Sequence, residues 1–467
     1  MNGFRALLGE ANCLTEAADI APYATDWRGQ QGAMPAAVVR PATVEQAAGV
    51  LRLAAEHGMH VVPNGGRTGL SGGALPIPGN APILIVSLER MRRIRALDPV
   101  DMSIAVDAGI TVQAVQEAAR EAGRHFPLSF GAQGSAQIGG ALSTNAGGIN
   151  TLRYGNARDL VLGLEVVLPD GRVLDDMRRI RKDNTGYALR HLFLGAEGTL
   201  GLITGASLKL FPALRTRETA FLSVPSPHHA LRLLSRMQDS GADLVAFELM
   251  DSHLVELTVG YVPGLRMPVP MTTPWCVIIE AGSPHPAAPV RELMESALAE
   301  ALDAGEAIDV MLAESEEART MIWRIRESAP EASRSTGPAV PTDTAVPVSA
   351  VPEFLDAVLA LSEARWPGMR VGAMGHLGDG NIHISLHGPA GMPREEWLRQ
   401  AGGFAEAVNE LAVRTGGSFS AEHGIGLTKL KGMSTLKNPV AVSLMRAIKG
   451  AIDPTGLMNP GKVLPPG

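Results

Sequence analysis

Short apolar runs alternate with amphipathic stretches along the first half of the chain, and this pattern predicts an α+β fold. The apolar runs are typical of strands, and the stretches between them repeat apolar residues every three or four positions, as helices do. Thr43 and Gln46 have the spacing of a capping box at the start of a helix. The predicted order is strand 37–40, helix 43–58, strands 60–62, 83–88 and 103–108, helix 112–123, and strands 163–168, 173–175 and 206–210.

The pattern changes after Phe211 and Pro212, where a second module begins. Its predicted elements are strand 219–224, helix 228–241, strands 244–249 and 275–281, helix 287–304 and strand 308–312. This order is close to the split βαβ arrangement of a ferredoxin-like fold. A further helix over 316–328 follows, and we expect Pro330 to end it.

Two glycine-rich runs provide the first candidate chemistry: PNGGRTGLSGGA at 63–74 and GGALSTNAGG at 139–148. Glycine allows the backbone to approach a ligand closely, so that successive N–H groups converge on an anion. Prolines and a strand follow the first run, whereas a Rossmann fingerprint requires a helix there. The runs therefore predict a pyrophosphate-binding bed of another kind, with unliganded surface loops as the alternative.

A histidine pair in HLGDGNIH, residues 376–383, predicts a metal site. If Asp379 and Gly380 form a two-residue hairpin turn, His376 faces His383 across the strands, near enough to share one ion. Two stacked core histidines are the alternative. The later SAEHGIG adds Glu422 and His423. Adjacent residues of an extended segment point to opposite faces, so we expect one to bind metal and the other to meet substrate.

Composition narrows the class of protein. The 467 residues have room for two or three domains, and a net charge of −7 without a basic block argues against nucleic-acid binding. Cys13 and Cys276 are too few for a disulfide framework or an iron–sulfur motif. The sequence also lacks an apolar stretch long enough for an integral membrane segment. We expect a cytoplasmic protein, with peripheral association at the inner membrane as an alternative.

The motifs PNGGRTGLSGGA, IGGALSTNAGG and GAEGTLGLIT together resemble the FAD-binding domain of the vanillyl-alcohol oxidase superfamily, in its D-2-hydroxyacid dehydrogenase branch. This branch includes D-lactate, D-2-hydroxyglutarate and glycolate dehydrogenases. The resemblance implies a PCMH-type FAD-binding domain of two subdomains and a ferredoxin-like FAD-linked oxidase C-terminal domain. The expected boundaries are a helical segment at 1–34, the FAD-binding domain at 35–213, and the substrate and metal domain at 214–467.

The resemblance also assigns residues to the cofactor. FAD is expected to be non-covalent, because neither cysteine lies in the flavin loops. The implied FAD-binding residues are Asn64, Gly65, Gly66, Arg67, Thr68 and Gly69 in the first loop, Gly134, Ser135, Gly139, Gly140, Thr144, Asn145 and Gly147 in the second, and Glu197, Gly198, Ile203 and Asn459.

The family motifs further imply a substrate and metal site. The W-x-x-R-E motif selects Arg326 for the substrate carboxylate, and Asn381 is implied to hold the substrate. Three ligands, His376, His383 and Glu422, are implied for a divalent metal, expected to be zinc with manganese as the alternative. The remaining histidine, His423, is implied to be the base.

The activity implied is oxidation of a D-2-hydroxy acid, such as D-lactate or D-2-hydroxyglutarate, to the 2-oxo acid. His423 would remove the hydroxyl proton while hydride passes to flavin N5. The electron acceptor would be a quinone, a cytochrome or an electron-transfer flavoprotein, and a homodimer is left open. The chain departs from the family at 341–343, where Pro-Thr-Asp stands in place of a motif that carries a substrate lysine in hydroxyglutarate-active relatives.

Two other functions are compatible with parts of the pattern. One is a flavoprotein subunit of a glycolate-oxidase-like complex that acts mainly in electron transfer. The other is a metal-dependent hydrolase that uses the same ligands without flavin. The complete set of two histidines, a glutamate and an adjacent histidine favours the dehydrogenase over the electron-transfer subunit.

Overall fold

A computed structural model describes residues 1–389 and 391–466. The chain forms two compact units: one contains residues 1–148, 154–213 and 422–467, and the other contains residues 149–153 and 214–421. Apart from residues 149–153, the chain passes from the first unit to the second between residues 213 and 214. It returns at Glu422, so that the C-terminal residues belong to the same unit as the N-terminal ones.

The described residues form 19 strands and 16 helices, with short 3₁₀ helices at Glu10–Asn12, Ala21–Ala24, Ala157–Leu160 and Val348–Ala350. The strands are β1 Cys13–Leu14, β2 Ala37–Val39, β3 His60–Asn64, β4 Ile83–Ser87, β5 Ile94–Asp98, β6 Ser103–Asp107, β7 Arg124–His125, β8 Val161–Val167, β9 Val173–Asp176, β10 Leu202–Lys209, β11 Phe211–Pro212, β12 Thr216–Val224, β13 Leu244–Asp251, β14 Trp275–Ser283, β15 Asp309–Leu312, β16 Ala339–Pro341, β17 Thr344–Ala345, β18 Arg370–His376 and β19 Asn381–His387. The helices are α1 Asn2–Leu8, α2 Ala17–Ile20, α3 Val44–Glu56, α4 Val112–Glu121, α5 Ile138–Ser143, α6 Thr151–Tyr154, α7 Arg190–Phe193, α8 Pro227–Asp239, α9 Ser252–Tyr261, α10 Val290–Asp303, α11 Glu316–Ser335, α12 Val351–Arg365, α13 Arg394–Gln400, α14 Phe404–Arg414, α15 Leu430–Thr435 and α16 Pro439–Ile452.

The first unit contains a four-stranded sheet in the order β1-β2-β4-β3 and a five-stranded sheet in the order β5-β6-β10-β8-β9. Helix α3 begins as the sequence predicts: Thr43 Oγ1 accepts from the Gln46 N–H at 3.3 Å. The Gln46 side chain reaches back to the N–H of Ala42 rather than that of Thr43. Val50 and Leu51 bury one face of this helix in the core, so the cap and the apolar pattern specify the same helix.

The second unit is built on one eight-stranded antiparallel sheet, ordered β15-β12-β14-β13-β18-β19-β16, with β17 also paired to β19. Helix α8 connects β12 to β13, and α10 connects β14 to β15. This is the ferredoxin-like order that the sequence predicts. The apolar clusters place α8, α10 and α12 on one face of the sheet and α9 and α11 on the other.

Helix α11 continues to Ser335 through Pro330, so the expected stop at this proline is wrong. Proline removes one backbone donor and normally breaks a helix. Here Ile325 and Ala329 before the proline and Ala332 after it are buried. Tertiary packing along the whole face therefore outweighs the local break, as it does for most helical stability.

The sequence also missed α9, although it carries a start signal. Asp251 is its N-cap and its Oδ1 accepts from the N–H of Leu254 at 2.9 Å. In the described part of the chain, no helix combines the length and apolarity needed to cross a membrane.

A buried ion-pair network stabilises the five-stranded sheet. Asp107 at the end of β6 is fully buried. Its carboxylate accepts from the N–H and Nε of Arg93 and from Arg95 Nε at 2.7 to 2.9 Å. Arg95 also donates twice to Glu165 on β8. Burial raises the pKa of Asp107, but the hydrogen bonds from Arg93 and Arg95 outweigh it and hold the pKa below its ordinary value of 3.8.

We expect Asp107→Asn to lower the free energy of unfolding by about 2 kcal/mol at pH 7, because charged hydrogen bonds are lost. A carboxyl whose pKa is lower in the folded than in the unfolded state stabilises the fold fully above its unfolded-state pKa. This stabilisation is lost as the pH falls through its folded-state pKa. The difference in free energy of unfolding between wild type and variant should therefore become smaller below about pH 4. Urea unfolding at pH 7 and at pH 3.5 measures it, and equal differences at both would contradict this account.

Candidate functional site

The two glycine runs lie against each other in the first unit. Strand β3 leads into the first run, and a Cβ added to Gly66 would lie 2.0 Å from the carbonyl oxygen of Ser135. In the second run, a Cβ on Gly139 would lie 3.0 Å from the Cβ of Ala108. Glycine is required at Gly66 because the Ser135 backbone occupies the space of a Cβ, and a Cβ at Gly139 would make a tight contact.

The other predicted cofactor residues of these runs line the same region of the first unit. Asn64 ends β3 and is buried, and Gly69 is exposed. Asn145 follows the C-cap Thr144 of α5 with a left-handed φ of 53°. In the first loop, Gly65, Arg67 and Thr68 are half-buried. Gly134 and Ser135 are exposed before α5, Gly140 lies within α5, and Gly147 lies beyond it. Gly198 follows Glu197 in a turn, and Ile203 lies on β10.

The C-terminal segment returns to the first glycine run. Asn459 Nδ2 donates to the carbonyl of Gly73 at 2.9 Å and to that of Glu197 at 2.7 Å. Lys462 Nζ donates to the carbonyl of Leu75 at 2.6 Å. Burial lowers the pKa of Lys462 to about 8, and the nearby Glu197 carboxylate partly opposes this shift. Asn459 and Lys462 therefore hold the first loop in place.

Two buried amide oxygens in this region fit an FAD ligand. Asn64 Oδ1 and Asn459 Oδ1 have no hydrogen-bond partner among the described residues. Leaving such an acceptor unpaired costs about 1 to 3 kcal/mol. The isoalloxazine N3–H, the ribityl and ribose hydroxyls and the adenine amino group of FAD are all donors. The close-packed glycines and these oxygens are therefore compatible with a bound dinucleotide.

Glu197 connects this region to the predicted base. Its carboxylate accepts from the N–H groups of Ile425 at 2.7 Å and Gly426 at 2.9 Å. Burial raises the pKa of Glu197, although these two hydrogen bonds oppose the shift. Its backbone adopts a left-handed φ of 51°. Glu197 is one of the predicted FAD residues, and its carboxylate also holds the backbone of Ile425 and Gly426, just after Glu422 and His423.

The histidine hairpin differs from the prediction. His376 pairs with Asn381, and Met374 pairs with His383, so the connection is the four-residue loop 377–380. The two-residue turn is wrong because Asp379 Oδ1 accepts from the Asn381 N–H at 3.0 Å, and Gly380 N–H donates to the His376 carbonyl at 3.0 Å. The strand pairing is shifted by two residues from the predicted one, so His376 and His383 remain on the same face of the sheet. The rings of His376 and His383 accordingly lie 5.9 Å apart, nearly perpendicular.

A glutamate that the sequence analysis missed, Glu248 on β13, lies directly opposite His376 on β18. Its Oε1 lies 2.6 Å from His376 Nδ1, and its Oε2 accepts from Arg326 Nε at 2.7 Å. Burial raises the pKa of Glu248, but His376 and Arg326 outweigh burial and hold the pKa below its ordinary value. One sequence signal was available, since Glu248 is a charged residue inside the apolar run LVAFELM.

Asn381 holds the strand segment that contains Asp343. Its Nδ2 donates to the carbonyl of Thr344 at 2.9 Å and to Asp343 Oδ1 at 3.4 Å. Asp343 Oδ1 lies 3.9 Å from His383 Nδ1. The N–H of Ala421 donates to the Asp343 carbonyl at 3.2 Å, and Glu422 is the next residue in the chain.

In the second unit, Asp343 and His383 offer a carboxylate oxygen and a ring nitrogen of the kinds that bind metal ions. His376, a further predicted ligand, lies beside His383 in the same unit. The third predicted ligand, Glu422, begins the last segment of the first unit. The segment around Glu422 and His423 is a bend rather than a strand, with His423 Nε2 at 3.5 Å from Glu422 Oε1. The expectation that their side chains point to opposite faces is therefore wrong. Imidazole nitrogens with carboxylate oxygens suit zinc or manganese.

The fold and these residues define a flavin-dependent oxidoreductase. Residues 35–176 match the FAD binding domain family, and residues 213–463 match the C-terminal domain of FAD linked oxidases. The chain belongs to the FAD-linked oxidase family.

Full-length relatives agree with this assignment. The chain is 35% identical to a D-2-hydroxyglutarate dehydrogenase of Xanthomonas citri pv. viticola, over 96% of this chain and 93% of the relative. It is 36% identical to the mitochondrial D-2-hydroxyglutarate dehydrogenase of Bos taurus, over 97% of this chain and 81% of the relative. The solved structure of p-cresol methylhydroxylase with substrate bound shares the fold, with a TM-score of 0.73 at 19% identity over 99% of this chain and 95% of that one.

We expect Gly66→Ala to destabilise the flavin-free protein by about 1 to 3 kcal/mol, because the added methyl overlaps the Ser135 carbonyl. Gly69→Ala is the matched control in the same loop, since a Cβ at Gly69 meets nothing within 4 Å. Thermal unfolding of both flavin-free variants measures the effect. Equal melting temperatures for the two variants would show that the loops are not packed in this way.

Proposed function

We propose that the protein is an FAD-dependent dehydrogenase that oxidises a D-2-hydroxy acid to the 2-oxo acid. The observation that carries this proposal is the cluster of His376, His383 and Asp343 in the second unit of a chain that also contains an FAD-binding domain. A metal-dependent hydrolase would not need the FAD-binding domain, and an electron-transfer subunit would not need the cluster.

The first unit would hold the cofactor through the two glycine runs, Asn64 and Asn459. FAD, when bound, accepts the two electrons and the Cα hydrogen that oxidation of a hydroxy acid releases. The cofactor would be dissociable, because both cysteines are buried in strands outside these loops. Electrons would then pass to a quinone, a cytochrome or an electron-transfer flavoprotein.

The metal would be held by His376, His383 and Glu422, and Asp343 would add a second carboxylate oxygen to the donor set. A divalent ion, when bound, favours ionisation of the substrate hydroxyl. Zinc is the metal we expect, with manganese as the alternative. Arg326 donates to Glu248 only through Nε, so its terminal nitrogens remain donors for a substrate carboxylate.

His423 would take the hydroxyl proton. Histidine is suited to this step because its ordinary pKa allows both protonation states near neutral pH. The segment that carries His423 is fixed by the two backbone hydrogen bonds to Glu197. A base held by a rigid backbone keeps its orientation without help from the substrate, and this lowers the entropic part of the barrier.

D-2-hydroxyglutarate is the substrate that the relatives' names favour. Pro341, exposed at the end of the edge strand β16, argues for a smaller hydroxy acid because it stands where a substrate lysine is expected. We place D-2-hydroxyglutarate first and D-lactate second, since the identity extends over nearly the whole chain.

Anaerobic addition of D- and L-2-hydroxy acids to the flavin-loaded protein tests the proposal. We expect one D-enantiomer to bleach the flavin absorbance, and no bleaching by any hydroxy acid with zinc or manganese present would contradict it. We expect His423→Ala to slow flavin reduction about 100- to 10,000-fold, because the base is lost. His228→Ala is the control, since His228 is partly exposed on α8 and pairs with the exposed Asp356.

A further inference from the structure

We propose that Glu248 is a positioning residue that fixes which nitrogen His376 presents to the metal and, through the same carboxylate, orients Arg326. This role rests on the proposed function. Glu248 is neither a metal ligand nor a substrate contact in the proposed function, but metal binding and substrate binding would both depend on it.

The sheet register creates the contact. Glu248 and His376 are directly opposed residues of the antiparallel strands β13 and β18, so their side chains leave the same face of the sheet as near neighbours. Helix α11 covers this face and brings Arg326 to the second oxygen of the same carboxylate. The Glu248 side chain is 1% exposed and those of Arg326 and His376 are each 9% exposed, so water does not replace these partners.

The chemistry of a carboxylate then determines the histidine tautomer. An ionised carboxylate only accepts hydrogen bonds, so the His376 nitrogen at 2.6 Å, Nδ1, must carry the proton. A neutral imidazole with Nδ1–H has its lone pair on Nε2, and a metal binds that lone pair. Metal-binding histidines commonly donate their other nitrogen to a carboxylate in this way.

Glutamine at this position would remove the determinant. Its oxygen can accept from only one side, and its amide nitrogen donates, so it would oppose either Arg326 Nε–H or His376 Nδ1–H. If the glutamine amide N–H faced His376, Nδ1 would have to accept a hydrogen bond. His376 would then carry its proton on Nε2, the nitrogen needed for the metal. The same substitution would release one anchor of Arg326.

The chain supplies a matched control in Glu280 on β14. Glu280 is also a buried carboxylate of this sheet beneath α11. It accepts from Trp323 Nε1 at 2.8 Å, from Thr219 Oγ1 at 3.0 Å and from Arg319 Nη1 at 3.2 Å. Losing Glu280 should therefore weaken the packing of α11 without changing the His376 tautomer.

The test compares metal affinity in flavin-loaded wild type, Glu248→Gln and Glu280→Gln, with zinc or manganese titrated against a chromogenic chelator and no substrate present. We expect Glu248→Gln to weaken metal binding about 10- to 100-fold, and Glu280→Gln to stay within about twofold of wild type while its melting temperature falls. Glu248→Gln should also raise KM for the hydroxy acid, because Arg326 loses its anchor. Equal metal affinity in wild type and Glu248→Gln would overturn this role. Failure of wild type to bind either metal would instead overturn the metal site of the proposed function and this role with it.

A second measurement avoids dependence on a variant that fails to fold. In metal-free wild type labelled with ¹⁵N-histidine, the ring nitrogen shifts report the tautomer, and His376→Gln identifies the signal. We expect a protonated Nδ1 and an unprotonated Nε2 at His376. The opposite tautomer would overturn the proposal.

Discussion

The buried carboxylate of Glu197 is the interaction on which the organisation of the first unit depends. A buried carboxylate is costly unless hydrogen bonds satisfy it, and here the N–H groups of Ile425 and Gly426 do so. Asn459 binds the carbonyl of the same glutamate and that of Gly73. Segments from the beginning, middle and end of the chain thus meet at one residue, and this explains why the C-terminal residues belong to the N-terminal unit.

The second unit uses buried carboxylates in a similar way. Glu280 and Glu248 lie on neighbouring strands of the sheet and hold α11 through Arg319, Trp323 and Arg326, which share one face of the helix. Hydrophobic packing is non-directional and leaves a helix free to slide or rotate by small amounts. Directional hydrogen bonds at three positions fix its placement. The Glu248 carboxylate in addition orients both Arg326 and His376.

Local signals predicted much of the fold. The Thr43 cap, the ferredoxin-like order and most strands could be predicted because capping and hydrophobic periodicity act over a few residues. The predicted end of α11 at Pro330 and the predicted two-residue hairpin turn were wrong for different reasons. Packing against residues distant in the chain carries α11 past Pro330, whereas the local hydrogen bond of Asp379 selects a four-residue loop. Both histidines still share a face because the register moved by an even number of residues.

The sequence by itself determined the class of protein. The glycine runs, the histidine pair and the Glu422-His423 motif each lie within a short stretch of sequence and depend on local backbone chemistry. The tertiary structure decided which further groups join them. Asp343 approaches His383 across 40 positions of the chain, and Glu248 pairs with His376 across 128. Both contacts depend on how distant strands of the sheet are paired. Glu248 lies within no recognisable motif, and Asp343 ends the segment 341–343, which departs from the family motif. Strand register depends on the packing of the whole sheet, and a spacing of a few residues carries no information about it.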